Sequence, residues 1–89
     1  MELLLDVTQK DIREGTVGQC QQCPIALALL KIEGVQRAFV TAGQATILYQ
    51  RNFYTSALPK WVHDFVCYFD DEKLVRPFQT ELEFQPFAT

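Results

Sequence analysis

Pro24-Ile25-Ala26-Leu27-Ala28-Leu29-Leu30 carries no polar side chain, and this run constrains the fold more than any other stretch. Proline fits the first turn of a helix, where its missing N–H has no intrahelical partner to lose. Lys31 and Glu33 mark the only wet region, and Gly34 suits the position just past the end. The spacing predicts a helix from Pro24 to Glu33, apolar on every side and so largely buried. A chain of 89 residues has room for one core around such a helix, which makes residues 1–89 a single domain. Seven Phe, three Tyr and one Trp supply enough apolar bulk for that core without a disulfide or a metal.

The other elements follow from local signals. Leu3 to Val7 is a candidate strand, and Thr8 with Asp11 three residues on forms a loose capping box for a short helix from Gln9 to Glu14. Gly15 would end that helix through a left-handed residue. Around Ala42-Gly43-Gln44, the segments Ala38–Thr41 and Ala45–Tyr49 read as a β-hairpin, which Phe53-Tyr54-Thr55 extends after a turn at Gln50-Arg51-Asn52. In a helix read from Ser56 to Asp70, with Ser56 or Leu58 near its cap and Pro59 in its first turn, Leu58, Val62, Phe65 and Phe69 form one stripe, and Lys60, His63 and Cys67 lie opposite. Phe78, Thr80, Leu82 and Phe84 alternate with Gln79, Glu81, Glu83 and Gln85, an edge strand bracketed by Pro77 and Pro86. The expected fold class is α+β: a small antiparallel sheet, made of the central hairpin plus the C-terminal edge strand, packed against two main helices.

Charge limits the function classes. A net charge of −3 disfavours non-specific nucleic-acid binding, which rests on clustered Lys and Arg. No Asp or Glu occurs between Gly34 and His63, whereas Asp64 to Glu83 holds six, so the chain should carry one mildly basic and one acidic face. No stretch is long and apolar enough for a membrane span, and Leu3-Leu4-Leu5 between Glu2 and Asp6 is too short and acidic for a signal peptide. Three cysteines without a secretion signal point to reduced thiols in a cytoplasm.

Cys20-x-x-Cys23 is the nearest approach to a chemical motif. With His63-x-x-x-Cys67 it could supply four zinc ligands, although that pair sits on the side of its helix away from the apolar stripe. A dithiol redox pair would want a hydrophobic strand leading into the motif, and Gly15-Thr16-Val17-Gly18-Gln19 stands there instead. The helix start at Cys23-Pro24 could hold a phosphate or carboxylate, with Arg37, Arg51 or Lys60 as countercharges, as in a nucleotide-binding sponge. Packing is the plainer role for the sulfurs: Cys23 at the helix start and Cys20 tucked under the loop. His63 is the chain's one histidine and has only Cys67 as a thiol neighbour by spacing. No catalytic residue and no cofactor are therefore expected.

The aromatic residues exceed what a small core needs, which leaves Trp61 and Tyr68 on the shoulder of the second long helix, and Phe87 beside Pro86, as contact residues. The acidic side of the C-terminal strand, Glu81 and Glu83, offers charge complementarity to a partner, whether another protein or a second copy of the chain.

Gly18-Gln19-Cys20-Gln21-Gln22-Cys23-Pro24-Ile25-Ala26, then Leu58-Pro59, Phe65, Phe69-Asp70 and Arg76-Pro77-Phe78, together resemble a group of small phage, prophage and bacterial proteins. The resemblance implies a stoichiometric accessory role, including inhibition of host defence, in the cytoplasm of an infected or lysogenic bacterium. It transfers no residue roles. The function expected is that of a non-enzymatic protein binding a host protein, with the small-ligand binder and the zinc-stabilised module as alternatives.

Overall fold

The α+β class holds, but the strands divide between two sheets. A computed structural model describes residues 1–41 and 43–87. Its elements are β1 (Glu2–Val7), α1 (Gln9–Glu14), α2 (Pro24–Leu30), β2 (Val35–Thr41), β3 (Gln44–Tyr49), β4 (Asn52–Ala57), α3 (Lys60–Asp70), β5 (Phe78–Glu83) and β6 (Gln85–Pro86). One sheet has the order β2-β3-β4-β6, and β1 and β5 form the other. All the pairings are antiparallel.

The C-terminal strand thus pairs with β1 and not with the hairpin, which corrects the expected arrangement. Register gives the reason: Val7 lies opposite Phe78, Leu5 opposite Thr80 and Leu3 opposite Leu82, so the apolar sides of both strands face the same way. After Phe84 the chain crosses to the other sheet, where Gln85 and Pro86 pair with Thr55 and Tyr54. The Phe87 N–H then donates to the Phe53 carbonyl at 2.9 Å. Residues 78–87 therefore act as one bent strand serving both sheets.

A single core fills the space between them, contributed by Leu5 and Val7, Ile25, Ala26 and Leu29, Ala38 and Val40, Ala45 and Ile47, Val62 and Phe65, Leu82 and Phe84. Helix α2 is enclosed as its composition requires, although it ends at Leu30, which is exposed, and not at Glu33. Gly34 does adopt a left-handed φ of +94°. Gly15 does not. Its φ is −67°, and the residue matters for space, because a Cβ there would lie 2.7 Å from Pro24 Cδ. Ala42, part of the predicted turn, lies outside the described residues.

The capping box of α1 forms in full. Asp11 N–H donates to Thr8 Oγ1, and the Asp11 carboxylate accepts from Thr8 N–H at 2.9 Å. Lys31 Nζ, at the end of α2, completes the site 2.7 Å from Asp11 Oδ2. Burial alone would raise the Asp11 carboxyl; the hydrogen bonds from Lys31 and Thr8 outweigh it and hold the group below its ordinary 3.8. Since the folded state depresses this pKa, the stabilisation is complete above about pH 4 and disappears as pH falls through the lower folded value. Asp11→Asn is expected to cost about 1–3 kcal/mol at pH 7, through the lost charge-assisted bond to Lys31. In urea unfolding curves, the gap between the two proteins should narrow at pH 3; an unchanged gap would show that the ion pair is not its source.

Candidate partner-binding surface

The β1–β5 ribbon turns one face to the core and the other to solvent, and strict alternation sorts its side chains. Leu5, Val7 and Leu82 are buried, while Glu2, Leu4, Gln79, Glu81 and Glu83 are exposed and Asp6 is half-buried. Cross-strand register sets Glu2 opposite Glu83, Leu4 opposite Glu81 and Asp6 opposite Gln79. Four carboxylates thus surround Leu4, which is 53% exposed. Directly opposed like charges such as Glu2 and Glu83 destabilise a strand pair. The Met1 ammonium, 2.9 Å from Glu83 Oε1, offsets part of that repulsion.

Of the residues singled out from sequence, Glu81 and Glu83 lie in this acidic face. Trp61 and Tyr68 are 49% and 50% exposed on α3, but they do not join the same patch. The Trp61 ring meets Phe78 edge-on at 5.0 Å, and Phe78 belongs to the core-facing side of β5. Tyr68 carries Lys73 Nζ at 5.6 Å from its ring centroid. Glu2, Leu4 and Asp6 escaped the sequence reading because the Leu3-Leu4-Leu5 run hides the alternation of β1.

The cysteines take separate places. Cys23 is buried at the start of α2, where its Sγ accepts from Ala26 N–H at 3.4 Å as the helix N-cap. Burial pushes its thiol pKa up, so it stays protonated at neutral pH. Cys20 is exposed and not tucked away, since its carbonyl is drawn to the edge of β2 by the Val40 N–H at 2.9 Å. His63 and Cys67, with Nε2 and Sγ 3.9 Å apart, line a crevice of about 310 Å³ with Cys20, Gly43 and Asp70. Cys23, the cap of α2, is not among the crevice's lining residues. No group of three or more His, Cys, Asp or Glu able to hold a metal ion occurs among the described residues.

The proposed anion ligands also stand apart. Arg37 is on the solvent face of β2, Arg51 at the tip between β3 and β4, and Lys60 beside Asp64 at 3.1 Å. Within the loop before α2, Thr16 N–H donates to Gln22 O, Gln22 N–H to Gln19 O, and Gly18 N–H to Asp70 Oδ1 at 3.2 Å. The chain's own carboxylate thus occupies an amide that an anion would need.

Comparison with protein-family models, curated proteins and solved structures finds no match. Among the described residues no helix is long and apolar enough to cross a membrane.

Proposed function

We propose that the chain is a non-catalytic accessory protein that works stoichiometrically by covering part of another protein, with the acidic face of β1–β5 as its contact region. The observation that carries this reading is the ring of Glu2, Asp6, Glu81 and Glu83 around exposed Leu4, carboxylates set side by side despite the cost of their repulsion. Such a face suits a basic partner surface with an apolar recess, where complementary charge gives orientation and speed of association and the leucine gives desolvated contact. The resemblance to small phage proteins supports a regulator or an inhibitor of host defence, acting in the cytoplasm of a bacterial host.

Capture from the native host by the wild-type chain and by Glu81→Lys/Glu83→Lys at low and high salt tests it. The double variant should keep its melting temperature and lose partner binding by about tenfold, with a weakened salt dependence. Equal capture by both would remove the acidic face from the reading. A host in which no protein is retained stoichiometrically would remove the reading itself.

A further inference from the structure

We propose that the outer face of the β2-β3-β4-β6 sheet is a second docking surface, fitted to an acidic segment of a partner protein, with Phe53 and Phe87 as apolar anchors and Arg37 and Arg51 as countercharges. It goes beyond the reading above, which uses a different face with the opposite charge. The core takes only one side of this sheet, through Ala38, Val40, Ala45 and Ile47. Alternation sends Arg37, Phe39, Leu48 and Phe53 to the other.

Register then assembles them into rows. Arg37 stands opposite Leu48, and Leu48 opposite Phe53. Phe87 closes this row through its N–H bond to the Phe53 carbonyl. The next row runs Phe39, Thr46, Thr55, Gln85. Phe53 is 47% exposed and Phe87 54%, and with Arg51, Asn52 and Pro86 they line a cleft of about 430 Å³. Phenylalanines left this open on a sheet already provided with a core mark a surface that gains by being covered.

The tip between β3 and β4 adds a second observation. Gln50 and Arg51 have φ values of 47° and 70°, a two-residue turn that Asn-Gly would make with less strain. Arg51 N–H is fixed by Gln36 Oε1 at 3.2 Å, and Asn52 Nδ2 donates to the Gln50 carbonyl. Strained backbone that its surroundings hold in place tends to sit at functional positions, and here it sets a guanidinium beside the Phe53–Phe87 cleft.

Charge selects the occupant. The face comes from residues 36–41, 43–57 and 85–87, which contain no Asp or Glu in a chain of net charge −3; Glu81 and Glu83 approach it only at the Thr55–Gln85 end, away from the Phe53–Phe87 cleft. Among the described residues neither arginine is paired with a carboxylate. Two copies meeting through this face would bring arginines against arginines. A nucleic-acid backbone would gain two cations against the net negative charge of the whole chain. A polypeptide with carboxylates flanking apolar side chains meets neither objection, and its carboxylates can take bidentate bonds from each guanidinium.

The full ¹⁵N-labelled chain, titrated at low salt with a synthetic peptide alternating Glu with Leu and Phe, tests the proposal by amide shift changes. The peptide should perturb Arg37, Leu48, Phe53 and Phe87, and Arg37→Glu/Arg51→Glu should weaken binding by about tenfold with an unchanged melting temperature. The milder Arg37→Gln/Arg51→Gln pair should show a smaller loss and serves if the reversal disturbs folding. The same peptide with Lys for Glu should leave the face unperturbed. Shifts confined to β1–β5, equal binding of the Lys peptide, perturbation of this face by oligothymidine instead, or self-association through it without peptide would each overturn the inference. Glu81 and Glu83 share a cleft with Gln44, Thr55 and Gln85 at one end of this face, so Glu81→Lys/Glu83→Lys should alter peptide shifts at that end alone and leave those of Arg37, Phe53 and Phe87 in place, which keeps the two surfaces distinguishable.

Discussion

Gly34→Ala should lower the melting temperature by roughly 12–24 °C, corresponding to about 3 kcal/mol in a domain of this size. Two effects add. Any side chain at φ +94° places Cβ against the following carbonyl, which costs about 1–2 kcal/mol. The new Cβ would also lie 2.6 Å from Tyr49 Cε2, a separation that forces the ring or the backbone to move. Tyr49 is poorly placed to retreat: it pairs with Val35 across the ladder and packs edge-on against Tyr54, with ring centroids 6.1 Å apart. Gly18→Ala separates the two effects. Gly18 has a φ of +75° with open space where the Cβ would go, so only the conformational part applies, about 1 kcal/mol or roughly 4–8 °C. Calorimetry of both variants decides the matter. Equal losses would mean that the contact with Tyr49 contributes nothing.

Sequence reading works best at helix starts and facing patterns, which depend on neighbours a few residues away, so Thr8 with Asp11, Pro24, and the Leu58-Val62-Phe65-Phe69 stripe all led to elements that the structure contains. Helix ends are less legible: α2 stops at Leu30, short of Gly34, and Gly15 keeps a negative φ. Partner choice between strands does not depend on neighbours. Alternation in Phe78 to Glu83 fixes which side chains turn inward, but several edges could have accepted that strand, and the match to Leu3, Leu5 and Val7 appears only once both are laid in register. Arg37 illustrates a subtler obstacle. By plain alternation it would share a face with Val35, which is buried; the irregularity between Val35 and Arg37 shifts the parity and turns the guanidinium outward beside Leu48. Read locally, Arg37 and Arg51 were countercharges for the helix at Cys23. Placed by the bulge and the tip, they flank a phenylalanine row.

The cysteine motif divides in the same way. A thiol ahead of Pro24 can cap the helix, and Cys23 does so from within the core. Cys20 answers to a longer-range demand: the edge of β2 needs an acceptor for the Val40 N–H, and the carbonyl of Cys20 meets it, leaving the side chain outside. The two sulfurs sit three residues apart, yet one serves the interior and the other the surface. Spacing alone carries no information about that division.

Phe84→Ala is expected to cost about 3–5 kcal/mol, a large share of the 5–15 kcal/mol that holds a typical domain together. Phe84 is 1% exposed and is the largest of the fully buried side chains. It also marks the point where the C-terminal strand leaves β1 for β4, and its N–H donates to the Met1 carbonyl at 2.7 Å. Truncation would open a cavity where the two sheets meet, and the pairing of Gln85 and Pro86 with β4 is too short to resist by itself. Phe84→Leu keeps most of the apolar volume and should cost only about 1–2 kcal/mol. Hydrogen exchange on the alanine variant should show the amides of β1 and β5 losing protection before those of β2 and β3, because the latter keep their own ladder. A loss below about 1 kcal/mol, or uniform loss of protection across both sheets, would mean that the shared strand is not what couples them.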